Sequence, residues 1–202
     1  MLACINGACL AAAASTGPAL QLLDRFSIVS AYLCLGLLCA GLAIGPIRAI
    51  RTDRSSINNY LRRDIGIWAA LIALTHLVIA TALSMTPEYM ETFVNSAEVA
   101  PSQATRAALF TWSTIAGLLV GILLLILLGL SNDKAVRWLG LRWWKRLHRM
   151  SYLAFALTIV HGLAFQALES RNRALIALVV VASLAVLVLQ MTGYRFFAKK
   201  SV

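Results

Sequence analysis

The chain has 202 residues, of which 60% are hydrophobic and 13% are charged, and its mean hydropathy is +0.81. These values lie outside the range of soluble globular domains and indicate an integral membrane protein, with the lipid bilayer as its first partner. The formal net charge is +10. Because the basic residues cluster at the ends of apolar segments, as membrane topology requires, we expect no nucleic-acid partner.

The N-terminal region, residues 1–24, contains a charge-free stretch, 1–23, that is rich in alanine and includes Pro18. It lacks the positively charged start of a secretory signal peptide, so a retained segment is favoured over a cleaved one. Three interpretations are open for this stretch: a short first span, a cap on the outer face, or the remnant of a span.

Five later segments contain no Asp, Glu, Lys or Arg and are long enough to cross a bilayer, for which about 20 helical residues suffice. In chain order, these predicted spans cover residues 26–47, 65–87, 107–132, 150–168 and 174–194. The sequence therefore predicts an all-α integral membrane protein with five to six transmembrane helices. The bundle domain covers residues 25–195, and a basic cytoplasmic tail covers residues 196–202.

The distribution of charge orients this bundle, because Lys and Arg accumulate in short cytoplasmic loops. Most of the 18 basic residues fall after the first span, after the third span or in the tail. They are Arg48, Arg51, Arg54, Arg62, Arg63, Lys134, Arg137, Arg142, Lys145, Arg146, Arg149, Arg195, Lys199 and Lys200. The opposite loops contain Glu88, Glu91, Glu98 and Glu169. We therefore expect a multi-pass protein of a bacterial inner membrane, with its C-terminus in the cytoplasm.

Two of the three histidines lie inside predicted spans, where a polar side chain needs a partner. His76 is twelve residues beyond Asp64, and His161 is twelve residues beyond Arg149, in spans that run in the same direction. Both lie roughly 16 to 18 Å into the membrane. Two neutral imidazoles at one depth on separate helices are what an axial bis-histidine haem site needs. The alternative is a hydrogen bond between helices, which contributes about 1 kcal/mol in membranes.

The third histidine, His148, lies in a basic run. Arg62 precedes His76 by fourteen residues, and His148 precedes His161 by thirteen. Arg62 and His148 therefore lie at a second common depth in the membrane. Thirteen residues leave about 140° between the two histidines on an ideal helix, so that helix would have to bend or rotate to direct both at stacked cofactors. His148 is therefore either an inner iron ligand or an interfacial side chain near the headgroups.

The four cysteines form neither a CxxC nor a CxxCH motif, which argues against a zinc module or covalent haem attachment. Cys34 and Cys39 lie in the first span and Cys4 and Cys9 in the N-terminal stretch. We interpret them as packing residues, with a redox role for the Cys4 and Cys9 pair as the alternative.

Two motifs resemble the ferric reductase-like transmembrane domain. Residues 61–68, LRRDIGIW, followed by His76 are similar to the signature of its third helix. Residues 139–152, LGLRWWKRLHRMSY, with His161 thirteen residues after His148, are similar to the signature of its fifth helix, and GPIR at 45–48 is similar to the end of its second. The resemblance covers residues 25–195.

This superfamily includes the membrane domains of NADPH oxidases and ferric reductases, and the haem-bearing membrane subunit of the bacterial methionine sulfoxide reductase system. The resemblance implies transmembrane electron transfer through haem b, with His76 and His161 as ligands of an outer haem and His148 as a ligand of an inner one. Arg62, Arg63, Arg146 and Arg149 would form a cytoplasmic face for haem propionates, a flavin phosphate or an acidic reductase. The alternative is that these arginines only enforce topology.

The sequence departs from this family in two ways. Members with two bis-histidine haems use four histidines, whereas this chain has three. Arg62 lies at the depth where the spacing would place the fourth histidine ligand. One haem is therefore expected, and a second would be ligated unusually. The chain also shows no flavin and nicotinamide domain and no GxGxxG fingerprint. Electrons are then expected from a separate flavin reductase, free FMN or FAD, or quinol.

Three functions are compatible with these observations. The first is an oxidoreductase component that carries electrons through haem to an outer-face acceptor. The second is the same scaffold dedicated to a periplasmic reductase of the methionine sulfoxide type. The third is a haem-free scaffold or transporter, which is disfavoured because the five predicted spans contain no acidic residue to couple proton or cation movement.

Overall fold

The computed structural model describes residues 17–51, 57–87, 103–168 and 173–200. Within these ranges the chain forms six α-helices and no β-strand. The helices are α1 (Gly17–Arg51), α2 (Ile57–Ser84), α3 (Gln103–Gly129), α4 (Asp133–His148), α5 (Met150–Leu168) and α6 (Arg173–Lys200).

Five segments of the described chain are long and apolar enough to cross a membrane. Four of them lie in α1, α2, α3 and α6, and one, Asp133–Leu168, combines α4 with α5. The predicted all-α membrane fold is therefore confirmed. Large apolar side chains such as Val29, Leu118 and Val181 remain exposed on the outside of the bundle, where a soluble protein would carry polar residues.

The bundle forms two groups of helices that meet around a common core. α1 packs against α2 and α6, α3 packs against α5, and α2 joins the groups through α3. The core includes Leu42, Ala69, Ala154 and Phe155, all nearly inaccessible. Small residues at such contacts let helix backbones approach closely, which drives packing when lipid is as apolar as the side chains.

α1 begins at Gly17, nine residues before the start of the first predicted span, and continues without a break through Asp24 and Arg25. Pro18 lies in its first turn, where a missing backbone N–H removes no helical hydrogen bond. The 35 residues of α1 extend about 52 Å, well beyond the ~30 Å hydrocarbon thickness of a bilayer. The helix thus continues past the apolar core of the membrane, and residues 1–16 lie outside the described part of the chain.

The loop predicted after the third span contains a helix, α4, that was not predicted. Its first turn is capped by Asn132, whose side-chain oxygen accepts a hydrogen bond from the backbone N–H of Ala135 at 2.8 Å. The helix has no buried residue and changes direction at Gly140, whose φ is 73°. With Trp143 and basic side chains exposed, α4 has the character of an interfacial helix.

The acidic loops expected on the outer side fall outside the described residues. These loops contain Glu88, Glu91, Glu98 and Glu169. The N-terminal stretch with Cys4 and Cys9 also lies outside the described residues. Their predicted positions stay predictions.

Candidate functional site

His76 projects from the middle of α2 towards α1. Its Nδ1 atom lies 3.0 Å from the backbone carbonyl oxygen of Ser27. The hydroxyl oxygens of Ser27 and Ser30 lie 3.4 Å and 3.3 Å from the same nitrogen. Because a carbonyl can only accept, the short contact assigns the proton to Nδ1, and the lone pair of the neutral ring then belongs to Nε2.

His161 projects from α5 towards α3 and is held in the same manner. Its Nδ1 atom lies 2.8 Å from the backbone carbonyl oxygen of Ser113, again the geometry of an N–H donor. The Ser113 hydroxyl donates in turn to the backbone carbonyl of His161 at 3.1 Å. None of the described residues hydrogen-bonds Nε2 of either histidine. Both rings therefore present a free ligating nitrogen.

The two imidazoles face each other between α2 and α5. Their ring centres are 6.3 Å apart and their planes are inclined at 81°. Both rings line a cavity between α1, α2, α3 and α5, whose empty space is about 1310 Å³ when its open mouth is included. The structure thus brings together the two histidines that the sequence placed at one depth.

The spacing of the rings fits two axial ligands of one metal ion. Metal–imidazole bonds of about 2 Å would hold the two Nε2 atoms about 4 Å apart, and the ring centres, each about 1 Å further out, would be about 6 Å apart. A hydrogen bond from the other ring nitrogen to a backbone carbonyl is the usual support of a ligating histidine. The donor set therefore fits a haem, which supplies four equatorial nitrogens itself.

A bare metal ion lacks such equatorial ligands. Among residues 17–51, 57–87, 103–168 and 173–200, no group of three or more His, Cys, Asp or Glu side chains is placed to hold one. A zinc or copper centre built from protein ligands alone therefore finds no support in this region, since such sites gather three or four of them.

Polar residues that the sequence analysis did not single out also line the cavity. Gln166 is buried, and its side-chain amide donates to the Tyr32 hydroxyl at 2.8 Å, joining α5 to α1. The serines that hold the histidines were missed as well. A signal was present: Ser27 and Ser30 share one face of α1, and Ser113 and Gly117 share one face of α3, within otherwise apolar helices.

His148 lies apart from this pair, at the C-terminal end of α4. Its ring stacks on Trp144 with centres 3.9 Å apart and planes inclined at 28°, and its Nδ1 lies 3.2 Å from the backbone carbonyl of Trp144. Arg62 lies close enough to act on it electrostatically. No second histidine faces His148 within the described ranges, and its role as an inner iron ligand stays a prediction.

The four arginines predicted to form a cytoplasmic binding face have different surroundings. Arg63 forms an ion pair with Asp133 at 3.1 Å, which joins α2 to the start of α4. The guanidinium of Arg62 lies against Gly45 of α1, Arg146 stacks on Trp143, and Arg149 is exposed at the end of α4. Arg146 and Arg149 are accessible to a partner, whereas Arg63 is engaged within the protein.

A comparison with known families decides the classification of this bundle. The profile described as "Ferric reductase like transmembrane component" matches residues 26–159, about two thirds of the chain. The chain belongs to the ferric reductase-like transmembrane family. The match includes His76 and His148 and ends two residues before His161. Comparison with curated proteins and with solved structures gave no match.

Membership in the ferric reductase-like family confirms the resemblance seen in the sequence and indicates transmembrane electron transfer. The family generally binds haem. Three of the five apolar helices begin within the matched region, and the histidine pair lies where α2 and α5 face the cavity.

Proposed function

We propose that this protein conducts electrons across a membrane, with His76 and His161 as the axial ligands of one b-type haem. One observation carries the proposal: two half-buried imidazoles from separate helices face each other with ring centres 6.3 Å apart, each with Nδ1 on a backbone carbonyl. Each histidine does form a hydrogen bond to a neighbouring helix, which is the alternative role, but that bond uses only Nδ1 and leaves Nε2 of both rings without a hydrogen-bond partner among the described residues.

The chain supplies the ligands and the environment, while a bound haem would supply the one-electron redox chemistry. His76 and His161 would provide the axial nitrogens. Ser27 and Ser113 hold the two rings in the tautomer that leaves Nε2 available. Apolar cavity walls that include Leu35 and Val120 would lower the local dielectric around a bound haem.

Electron entry is proposed on the side that carries α4. Arg146 and Arg149 are exposed there and can attract a flavin phosphate or an acidic reductase, and a quinol can approach through lipid. On this proposal the basic side faces the cytoplasm of a bacterial cell and the inner membrane holds the protein. A small molecule or a periplasmic reductase of the methionine sulfoxide type would then receive electrons on the outer side.

The basic test is optical. The protein is purified in detergent from cells supplied with haem, and its reduced-minus-oxidised visible spectrum is recorded. We expect the sharp bands of a six-coordinate b-type haem. A colourless preparation that is folded by circular dichroism and monodisperse on size exclusion would overturn the proposal.

Substitution of each ligand tests the assignment. We expect His76→Ala and His161→Ala each to abolish the six-coordinate spectrum and to lower the haem retained per protein by about 10-fold or more. Pyridine extraction measures that ratio. If either variant kept full haem and an unchanged redox midpoint, the axial assignment of that histidine would be wrong.

A further inference from the structure

The ring of His161 lies directly against the backbone of α3 at Gly117. A Cβ atom at that position would lie 2.6 Å from Cε1 of His161, 2.7 Å from Nδ1 and 3.4 Å from Nε2. Real side chains essentially never approach so closely, so only glycine allows the ring to occupy this place. The nearest atoms belong to a rigid aromatic ring and not to the flexible end of a side chain, so the contact cannot be relieved by a small rotamer change.

Ser113 lies one turn before Gly117 on the same face of α3. Its carbonyl oxygen accepts from Nδ1 of His161 at 2.8 Å, and its hydroxyl donates to the His161 carbonyl at 3.1 Å. Ser113 is itself 2% exposed, so water does not compete for these bonds. α3 therefore contacts both the ring and the backbone of a histidine that belongs to α5.

We propose that Gly117 and Ser113 are positioning residues that fix the ring plane of His161 at the haem site, an inference that rests on the proposed function. Gly117 provides a flat surface without a side chain, and the Ser113 carbonyl fixes the rotation of the ring by bonding its Nδ1 proton. α3 supplies no iron ligand, yet it sets the direction of the Nε2 lone pair.

The ring plane has a consequence that can be measured. His76 and His161 are held by different helices, α1 and α3, and their planes are inclined at 81°. Axial imidazoles that are nearly perpendicular give ferric low-spin haem a strongly anisotropic electron paramagnetic resonance signal, whereas parallel rings give a rhombic one. We expect the wild-type protein to show the strongly anisotropic signal.

The first experiment compares Gly117→Ala with Gly36→Ala in the complete chain. Gly36 is a matched control because it also lies mid-helix, but a Cβ there meets nothing within 4 Å and the residue does not line the cavity. We expect the Gly117→Ala protein to lose the strongly anisotropic electron paramagnetic resonance signal, to have a shifted redox midpoint potential and to retain about 10-fold less haem. Gly36→Ala should keep all three. If Gly117→Ala also keeps all three, the inference is overturned.

A second experiment needs no haem and separates ring positioning from helix packing. Thermal unfolding is measured in the haem-free forms of Gly117→Ala, His161→Ala and the double variant. Because His161→Ala removes the ring that the new methyl group meets, Gly117→Ala should lower Tm in the native background but not in the His161→Ala background. Equal lowering in both backgrounds would show that Gly117 acts only through helix packing and would overturn the inference.

This design also covers a Gly117→Ala variant that does not fold. Folding should then return in the double variant with His161→Ala, and failure to return counts against the inference. A wild-type protein without haem would overturn the proposed function alone, because the unfolding comparison still reports whether Gly117 acts through the His161 ring.

Discussion

At the scale of single residues, the two membrane histidines differ from His148 in what surrounds them. His76 and His161 each bond a serine carbonyl on a neighbouring helix and face each other, whereas His148 bonds the carbonyl of Trp144 in its own helix and stacks on that indole. A ligand held by another helix is fixed relative to the bundle. A side chain held within one amphipathic helix is fixed only relative to that helix.

His148→Ala is therefore expected to leave the proposed haem between His76 and His161 in place. His148 and His161 are thirteen residues apart, so about 20 Å of helix separates their levels. The six-coordinate spectrum and the redox midpoint potential of the haem at the His76–His161 site should match those of the wild type. Pyridine extraction counts any haem that is lost from an inner site. Complete loss of haem from a folded His148→Ala protein would contradict this prediction.

The sequence predicted that His76 and His161 lie at one depth better than it predicted which residues hold their rings. His76 and His161 could be paired because charged residues mark the membrane boundary, and the rise per residue then converts sequence distance into depth. Ser27, Ser113 and Gly117 could not be assigned, because their roles depend on the rotation of α1 and α3 about their axes. That rotation is set by packing between helices, which the composition of a single apolar span does not reveal.

At the scale of elements, the apolar spans were predictable and the polar helix α4 was not. A span of charge-free residues is constrained by the bilayer, whereas the several Lys and Arg residues of α4 indicate a loop when charge alone is considered. Its helical signals were local: the Asn132 cap and apolar residues at Val136, Leu139 and Trp143, three to four positions apart. The change of direction at Gly140 interrupts that periodicity.

Gly140→Ala is expected to destabilise the protein by about 1–3 kcal/mol, because φ 73° with ψ 150° lies in a region that is essentially restricted to glycine. A Cβ at this position meets nothing within 4 Å, so the effect comes from the backbone alone. Unfolding in detergent, followed by circular dichroism, measures the loss.

Gly129→Ala is the matched control for Gly140→Ala. Gly129 lies at the end of α3, its Cβ position is also open, and its φ is not positive. Ala is the better helix former, so this variant should be neutral or slightly stabilised, by at most ~1 kcal/mol. Equal stability of the two variants would show that the bend at Gly140 does not require glycine.

At the scale of the whole molecule, charge and packing support a single orientation. Arg195 of α6 lies at the same end of the bundle as Arg48 and Arg51 of α1, because α1 and α6 approach closely at that end. The ion pair of Arg63 with Asp133 holds the start of α4 beside the same end of α2. A Cβ at Gly193 would lie 2.8 Å from Cα of Pro46, which shows how near the two backbones are. This clustering favours the cytoplasmic side under the positive-inside rule.

A reporter fused to the C-terminus tests that orientation. Since Arg195 and its basic neighbours follow the apolar part of α6, we expect a C-terminal green fluorescent protein to fluoresce and a C-terminal alkaline phosphatase to be inactive in a bacterial host. The same reporters inserted between residues 88 and 102 should give the opposite result and serve as the control. An active phosphatase at the C-terminus would show that the bundle has the opposite orientation in the membrane. Electron entry would then have to be assigned to the opposite face.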